Sequence, residues 1–257
     1  MIPMRQLGST DLTLSLLGLG TVKFGRNTNV KYPEAFEIPT QDDIIKLLEL
    51  AKSQGINTLD TAPAYGDSES KLGKIFENTP DLARDKWVII TKAGEEHIDN
   101  KSNYNFNTNY INNSINNSLK NLNTDYIDIL LIHSDGSDLE IAQNDSLWQL
   151  LEARKAMGDI RAYGVSSKTV DGGIKCLERS DLAMVTCRQD HLTEQAVLDY
   201  AAHNNKGIIL KKVLNSGHDQ NPAAALKFSA NHPAVTSMII GTINSKHLLA
   251  NIKAVSD

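Results

Sequence analysis

Residues 128–133 read Asp128-Ile129-Leu130-Leu131-Ile132-His133, and this stretch decides the fold. Its centre is an uninterrupted apolar run, which is typical of a strand buried on both faces of a sheet. A helical pattern follows over residues 145–156, and a second apolar strand follows at Ile160–Ser166. This order predicts a βαβ unit with parallel strands.

The same unit repeats along the whole chain of 257 residues. Strands are predicted at Leu16–Thr21, Ile56–Thr61, Trp87–Lys92, Asp128–His133, Ile160–Ser166, Ala183–Arg188, Gly207–Lys212 and Thr236–Thr242. Helices are predicted at 40–54, 67–79, 107–122, 145–156, 169–179, 194–205, 222–231 and 244–254. Eight repeats favour a closed (β/α)8 TIM barrel, and a doubly wound open sheet is the competing architecture. We therefore predict an α/β protein with a single barrel domain over residues 1–257.

Local signals support this reading at the ends of several elements. Thr40 precedes two acids and is placed to cap a helix, Gly55 stands at the expected C-terminal cap, and Asn221-Pro222 combines a cap with proline at the first helical position. Residues 5–12, ahead of the first strand, resemble a small hairpin that we expect to plug the bottom of the barrel.

Composition narrows the class of protein. The net charge is −5 and no cluster of five basic residues occurs, which argues against a nucleic-acid partner. No apolar stretch is long enough for a membrane span, and the run from Leu12 to Leu19 lacks the features of a signal peptide. The two cysteines, Cys176 and Cys187, are expected to be small buried hydrophobes. We therefore expect a soluble cytoplasmic protein, by default a monomer, and the scattered histidines predict no metal site.

Polar residues end several of the apolar strands. Asp60, Lys92 and His133 end the second, third and fourth strands, and Tyr65 follows in the second loop. Any one of these alone fits a structural ion pair, but together at the same end of neighbouring strands they indicate a site. A free tyrosine titrates near 10, and a nearby ammonium should lower its pKa.

The chemistry of these residue types suggests a separate catalytic role for each. Asp60 can hold Lys92 charged, His133 can hydrogen-bond a carbonyl oxygen, and Tyr65 can donate a proton to the developing alkoxide. This machinery lacks a hydride source, so a cofactor is implied.

The same residues resemble a known family. Asp60, Tyr65, Lys92 and His133 are similar to the catalytic tetrad of the aldo-keto reductases, and residues 59–66 resemble that family's Asp-Thr-Ala…Tyr-Gly signature. Gly18–Thr21, Gly164–Ser166 and the tail from Ile239 to Asn251 also match, so the resemblance covers nearly the entire chain. It implies carbonyl reduction with Tyr65 as general acid and a nicotinamide cofactor extended across the top of the barrel. The cofactor-binding residues that it implies are Gly20, Thr21, Ser166, Ser167, Lys211, Lys212, Gly241, Thr242, Asn244, His247 and Asn251.

Several positions depart from the family pattern. Ser167 replaces the usual Asn, Thr186 aligns with a usual Gln, and Lys211 stands where an aromatic residue commonly stacks on the nicotinamide. An Arg often grips the 2′-phosphate in the last helix, and this chain offers His247 there, with Lys246 beside it. NADP(H) is the expected cofactor and NAD(H) the alternative.

Two other functions compete with the reductase. A Schiff-base lyase would use a strand-end lysine such as Lys92, and a non-catalytic regulatory protein would bind the nicotinamide without turnover.

The expected substrate is a small or medium aldehyde, with sugars and ketones as further candidates. The long polar loops 22–39 and 93–106 follow strands and should shape the pocket, with Tyr104, Phe106 and Phe24 as candidate walls. The chain ends soon after the last helix, so we expect an open pocket. Phe24 has a competing role in packing, Trp87 and Trp148 are expected in the core, and His97, His203, His218 and His232 are expected at the surface or in loops.

Overall fold

Eight parallel strands close into a barrel in the computed structural model, which describes residues 2–256. The strands are β1 (Met4–Gln6), β2 (Thr13–Ser15), β3 (Leu17–Gly20), β4 (Thr58–Asp60), β5 (Val88–Ala93), β6 (Glu95–Ile98), β7 (Lys101–Tyr104), β8 (Ile127–His133), β9 (Ile160–Ser166), β10 (Leu182–Val185), β11 (Gly207–Leu210) and β12 (Val235–Ile240). The barrel runs β3-β4-β5-β8-β9-β10-β11-β12 and closes between β12 and β3. The (β/α)8 prediction is confirmed, and the open-sheet alternative is wrong. The ends of the predicted domain, Met1 and Asp257, lie outside the described residues.

Helices surround the barrel. They are α1 (Val22–Gly25), α2 (Gln41–Ser53), α3 (Ser68–Asn78), α4 (Thr108–Asn121), α5 (Asp138–Gln143), α6 (Asp145–Met157), α7 (Val170–Leu177), α8 (Gln195–His203), α9 (Pro222–Ala230) and α10 (Ser245–Ser256). The short helices α1 and α5 are additional to the eight predicted. None of the helices in the described part of the chain is both long and apolar enough to cross a bilayer.

The predicted caps explain where two helices begin and one ends. Thr40 Oγ1 accepts a hydrogen bond from Asp43 N at 3.2 Å, and Asn221 Oδ1 accepts one from Ala224 N at 3.3 Å. Each bond satisfies an amide that the first turn of a helix leaves unpaired. Gly55 follows α2 with a φ of +91°, which glycine adopts without steric cost.

Five barrel strands, β3, β4, β10, β11 and β12, are shorter than predicted, and the early ends of β10 and β11 bear on the site. β10 ends at Val185 because Thr186 N donates to the Glu194 side chain at 3.0 Å instead of continuing the ladder. β11 ends at Leu210, and Lys212 leaves the extended conformation with a φ of +55°. Lys211 and Lys212 therefore stand on the loop that follows β11, at the top of the barrel.

The N-terminal hairpin plugs the bottom of the barrel, as predicted. β1 and β2 pair antiparallel, and Leu7 and Leu12 of the connecting segment are buried together with Leu14 of β2. These side chains join a core cluster inside the barrel. The cluster also contains Ile90, Ile129, Leu131, Ala162, Leu182, Met184 and Ile209. A larger apolar core lies between the barrel and the helices and includes Trp87 and Trp148, whose predicted core position is confirmed.

A buried carboxylate lies near the bottom of the barrel, at the start of β8. Asp128 accepts hydrogen bonds from Arg84 at 2.7 Å, from Arg161 at 2.9 Å and from Ile89 N at 2.9 Å. Arg161 also reaches the exposed Asp11 at 3.0 Å. These three donors compensate the buried charge of the carboxylate, so this group ties β8 to β5 and β9.

Candidate active site

A pocket of about 410 Å³ opens at the carboxyl ends of the barrel strands. Its lining includes Asp60, Tyr65, Lys92 and His133 from neighbouring strands and one loop. The lining also carries six basic side chains against two carboxylates. The basic residues are Arg26, Lys31, Lys92, Lys168, Lys211 and Lys212, and the acids are Asp60 and Glu95. The pocket is therefore electropositive.

Lys92, Asp60 and Tyr65 form a buried cluster at the pocket floor. Lys92 Nζ lies 2.5 Å from Asp60 Oδ1 and also donates to Thr61 O at 2.9 Å and to Tyr65 Oη at 3.2 Å. Tyr65 Oη lies 3.4 Å from Asp60 Oδ2. The three contacts use all three ammonium donors, so Lys92 is fixed in place and aimed at the phenol.

The turn that carries Tyr65 is held against α1 by two glycines. Residues 63–65 form one short helical turn after β4, and Gly66 follows with a φ of +65°. A Cβ on Gly25 would lie 2.2 Å from Tyr65 O, and a Cβ on Gly66 would lie 2.2 Å from Gly25 O. The two backbones approach so closely that only glycine fits at either position.

The pKa of Tyr65 is shifted in the direction opposite to the prediction. Burial and the Asp60 carboxylate raise the pKa of the phenol well above 10, with a further contribution from Glu95. The nearby ammonium of Lys92 was expected to lower it, but desolvation of the phenolate outweighs that attraction. Tyr65 is therefore a protonated donor throughout the neutral range.

His133 faces a carboxylate that the sequence-based prediction missed. Its Nδ1 lies 2.8 Å from Glu95 Oε2, although the approach is poorly directed for a hydrogen bond, and Nε2 is the ring nitrogen that opens to the pocket. Burial and Lys92 lower the pKa of His133, and Glu95 opposes that shift. Burial of Glu95 opposes its ionisation, but His133 and Ser102 outweigh it and lower its pKa to about 2. The negative charge of the ionised Glu95, close to Nδ1, therefore favours a proton on Nδ1 over one on Nε2.

Lys211 lies against the strand next to His133. Its Nζ donates to Ser166 Oγ at 2.9 Å and to Ser167 O at 2.6 Å. Ser166 is the register partner of His133 across β8 and β9. Behind this contact, Ser167 Oγ lies 3.4 Å from the buried Glu194. Burial lowers the pKa of Lys211 to about 7, with Glu194 opposing and Lys212 adding to the shift.

Some of the predicted cofactor-binding residues line the pocket and the others do not. Those in the lining are Gly20, Ser166, Lys211, Lys212 and Gly241.

Thr21 and Asn251 are buried away from the pocket, as are the side chains of Ser167 and Thr242. The Thr21 hydroxyl bonds to Asp60 O and Ser68, which gives it a structural contact. His247 is exposed at the start of α10. Asn244 Oδ1 accepts from Lys246 N and His247 N, so two amides at the start of α10 are already capped and are not free to bind a phosphate.

The two long polar loops meet above the pocket. Residues 93–106 contain an unpredicted hairpin, β6–β7, whose two-residue turn, Asp99-Asn100, has positive φ at both positions. Asn100 accepts from Thr28 at 2.9 Å, which joins this hairpin to the loop of residues 26–40. On the other side, His218 Nε2 lies 3.1 Å from Lys31 O. The loop 26–40 therefore bridges the mouth of the pocket.

The predicted pocket walls are partly wrong. Tyr104 lines the pocket, whereas Phe24 is fully buried in the core and Phe106 packs against that core. His97 was expected at the surface or in a loop; it lies on β6 and is half-buried, with both ring nitrogens inaccessible to solvent. Tyr32, which the prediction did not name, lines the pocket and brings its hydroxyl to Gly241. Both cysteines are buried, as predicted. Within residues 2–256, no three His, Cys, Asp or Glu side chains cluster as metal ligands.

The two acids that the prediction missed, Glu95 and Glu194, differ in how readily the sequence reveals them. Glu95 comes only three positions after Lys92, so its place just beyond the end of β5 could have been predicted from the sequence. Glu194 lies eight positions beyond Thr186 and returns to the site through a loop. The spacing of the two residues in the sequence does not predict that they are in contact.

Comparison with known proteins identifies similar chains. The model of the aldo/keto reductase family matches residues 16–221. The D-threo-aldose 1-dehydrogenase of a Pseudomonas species is 31% identical over 237 residues, covering 81% of this chain and 68% of the relative. The NADH-specific methylglyoxal reductase of Escherichia coli is 29% identical over 210 residues, covering 77% of this chain and 60% of the relative. A solved structure from Pseudomonas aeruginosa, assigned to the aldo-keto reductases, has a TM-score of 0.89 at 42% identity and covers 98% of this chain and 93% of its own.

Proposed function

The chain belongs to the aldo/keto reductase family, an NAD(P)H-dependent class of oxidoreductases, and on that premise we propose that it reduces the carbonyl group of a small aldehyde or sugar to an alcohol. The observation that carries the proposal is the buried cluster of Lys92, Asp60 and Tyr65 beside His133 on the pocket floor. A phenol, an ammonium and an imidazole converge there on one small volume.

Tyr65 is the general acid. Its raised pKa keeps the proton on the phenol, and an alkoxide is a stronger base than a phenolate, so transfer to the reduced substrate is favourable. Lys92 stabilises the negative charge that the phenol then acquires, and Asp60 holds Lys92 in position. The reverse reaction needs a phenolate, which burial and Asp60 disfavour. This site therefore favours reduction over oxidation at neutral pH.

His133 orients the carbonyl from the other side. Its ring centroid lies 6.5 Å from that of Tyr65, with the planes nearly perpendicular. Glu95 selects a proton on Nδ1, so donation from Nε2 to a carbonyl oxygen requires the doubly protonated ring. His133 is therefore most effective as a donor when the pH falls towards its lowered pKa.

The residues present fit a phosphate-bearing nicotinamide cofactor. Six basic side chains line the pocket, and Gly20 and Gly241 leave the ends of β3 and β12 without side chains. Ser166 and Lys211 would hold the nicotinamide end, and Lys212 would meet the phosphates. The bound cofactor supplies the hydride that these side chains lack. We propose NADP(H), with the exposed Lys246 and His247 meeting the 2′-phosphate.

Sugars and 2-oxoaldehydes are the substrates to test first. Two of the similar proteins are named for an aldose and for methylglyoxal. Ser102 and Tyr104 contribute polar groups to the pocket wall, and the pocket opens to solvent below the loop 26–40. Those groups suit a substrate that carries hydroxyl or oxo groups next to its carbonyl.

The Schiff-base alternative is disfavoured by Lys92 itself. Its nitrogen donates three hydrogen bonds, so it has no free lone pair with which to attack a carbonyl. The regulatory alternative requires binding without turnover, and the complete set of acid, cation and carboxylate argues against it.

The test begins with fluorescence titration of the purified protein with NADPH and NADH. Saturable binding of NADPH, tighter than that of NADH, is expected. An absorbance assay with aldoses and 2-oxoaldehydes should then show NADPH oxidation that Tyr65→Phe abolishes. Equal binding would remove the role given to Lys246 and His247, and binding without any carbonyl-dependent oxidation would favour the regulatory protein.

A further inference from the structure

Lys211 places a cation beside the reacting centre without a carboxylate in direct contact. Its two protein acceptors, Ser166 Oγ and Ser167 O, are both neutral, and Glu194 stands behind Ser167. Two of the three ammonium donors are thus used, and the side chain lines the pocket. The charge of Lys211 is consequently felt by whatever occupies the pocket next to Ser166.

The position of Lys211 is informative if the proposed reaction is correct, and the inference rests on that function. A carbonyl in contact with Tyr65 and His133 must receive its hydride from a ring that lies beside it in the same pocket. Ser166 is the neighbour of His133 across β8 and β9, and Lys211 is bonded to Ser166. A bound hydride-donating ring would therefore share one wall of the pocket with the Lys211 ammonium.

We propose that Lys211 selects the oxidation state of the cofactor, because its ammonium disfavours the positively charged oxidised nicotinamide and tolerates the neutral reduced ring. The two forms differ by one positive charge on the ring and share the same phosphates. An ammonium within several ångströms of that charge weakens binding of the oxidised form by roughly tenfold or more in a partly buried site. The enzyme would then release its spent cofactor readily and favour carbonyl reduction.

The charge on Lys211 depends on several groups that surround it. Those in its electrostatic environment are Glu194 before α8, Lys212 on its own loop, Asp138 at the start of α5, Lys168 after β9 and His133 at the end of β8. Burial dominates and lowers the pKa of Lys211 to about 7. The ammonium form therefore prevails at low pH, and the discrimination between the two cofactor forms should weaken as the pH rises.

The experiment measures the dissociation constants of NADPH and NADP⁺ by titration between pH 6 and pH 9.5 for the wild type, Lys211→Met and Lys211→Arg. At pH 6 the ratio of the NADP⁺ constant to the NADPH constant should be about tenfold lower in Lys211→Met than in the wild type. In the wild type the ratio should fall as the pH rises. In Lys211→Arg it should stay high at every pH, because a guanidinium does not lose its proton in this range.

Lys227→Met is the matched control, since it removes the same charge from an exposed position on α9. It should leave the ratio unchanged. A ratio in Lys211→Met within twofold of the wild type overturns the inference. If that variant does not fold, Lys211→Gln makes the same comparison, and a ratio within twofold of the wild type overturns the inference equally. Binding of neither cofactor form to the wild type would instead refute the proposed function, and with it this inference.

Discussion

Asp60 and Asp128 are both buried carboxylates on barrel strands, yet the two ends of the barrel use them differently. At the bottom, Asp128 receives two guanidinium groups and a backbone amide and faces no cavity. At the top, Asp60 pairs with one ammonium, which also points at a phenol open to the pocket. The carboxylate with three donors ties neighbouring strands together, and the other is the one that we propose positions a cation for chemistry. Both carboxylates are buried, so burial alone does not distinguish their two roles. The further contacts made by the cationic partner of each carboxylate distinguish them.

The largest effect is expected from Tyr65→Phe. Loss of the phenolic hydroxyl removes the proton donor and should lower the rate of carbonyl reduction by about a thousandfold. Stability should change little, because the ring and its packing remain. Single-turnover kinetics and thermal unfolding test both statements. Near-normal turnover in this variant would show that another group supplies the proton.

Lys92→Met should lower both the stability of the protein and its rate of turnover. Removal of the ammonium leaves Asp60 buried and unpaired, which should cost about 3 kcal/mol of unfolding free energy, and turnover should fall at least a hundredfold. The double variant Asp60→Asn with Lys92→Met should regain much of the stability and none of the activity. Recovery of turnover in that double variant would remove Lys92 from the proposed mechanism.

Asp128→Asn tests the opposite end of the barrel. The largely buried Arg84 and the more exposed Arg161 lose their charge partner, so the free energy of unfolding should fall by about 3 kcal/mol while kcat stays within twofold of the wild type. Chemical denaturation and steady-state assays measure the two quantities. The control is Asp11→Asn, which breaks an exposed ion pair with Arg161 and should cost at most about 0.5 kcal/mol. A large loss of kcat in Asp128→Asn would contradict the separation of roles between the two ends.

The smallest effect concerns pH and Glu95. Burial and Lys92 lower the pKa of His133 below 6.5, so the doubly protonated ring becomes more populated as the pH falls through that value. With saturating NADPH, kcat/KM for the carbonyl should therefore rise several-fold towards acid pH. In Glu95→Gln the amide can donate to Nδ1 and leave the proton on Nε2 of a neutral ring, so the profile should flatten. Lys211 is common to both proteins, so a change between their profiles reports His133. If the pH profiles of kcat/KM of the wild type and Glu95→Gln were parallel, Glu95 would have no role in setting the protonation of His133.

The sequence predicted the barrel well because its strands are apolar and its helices are capped by recognisable residues. The same rule picked out residues that the structure brings together, since Asp60, Lys92 and His133 end apolar strands on the face where such barrels keep their polar side chains, and all three line one pocket. The pKa of Tyr65 was predicted in the wrong direction, because residue types reveal a neighbouring charge but not the depth of burial.

The loops were harder to predict for a different reason. The Asn-rich segment after β5 was read as an irregular loop, although Asp99-Asn100 is a pair that tolerates the positive φ of a tight hairpin turn. The bridge between residues 26–40 and the loop after β11 rests on contacts between segments nearly two hundred residues apart. Such contacts leave no periodic signal in the sequence.

The close approach of Gly25 and Gly66 has a consequence for tolerance to mutation. Each position is blocked by the backbone of the other's segment, so a side chain at either one requires the two segments to separate. A mutational scan should score both glycines as intolerant as Tyr65, although the glycines have no reactive groups. Their intolerance would report the spacing of two backbones, and a library that varies one position at a time would find no escape from it.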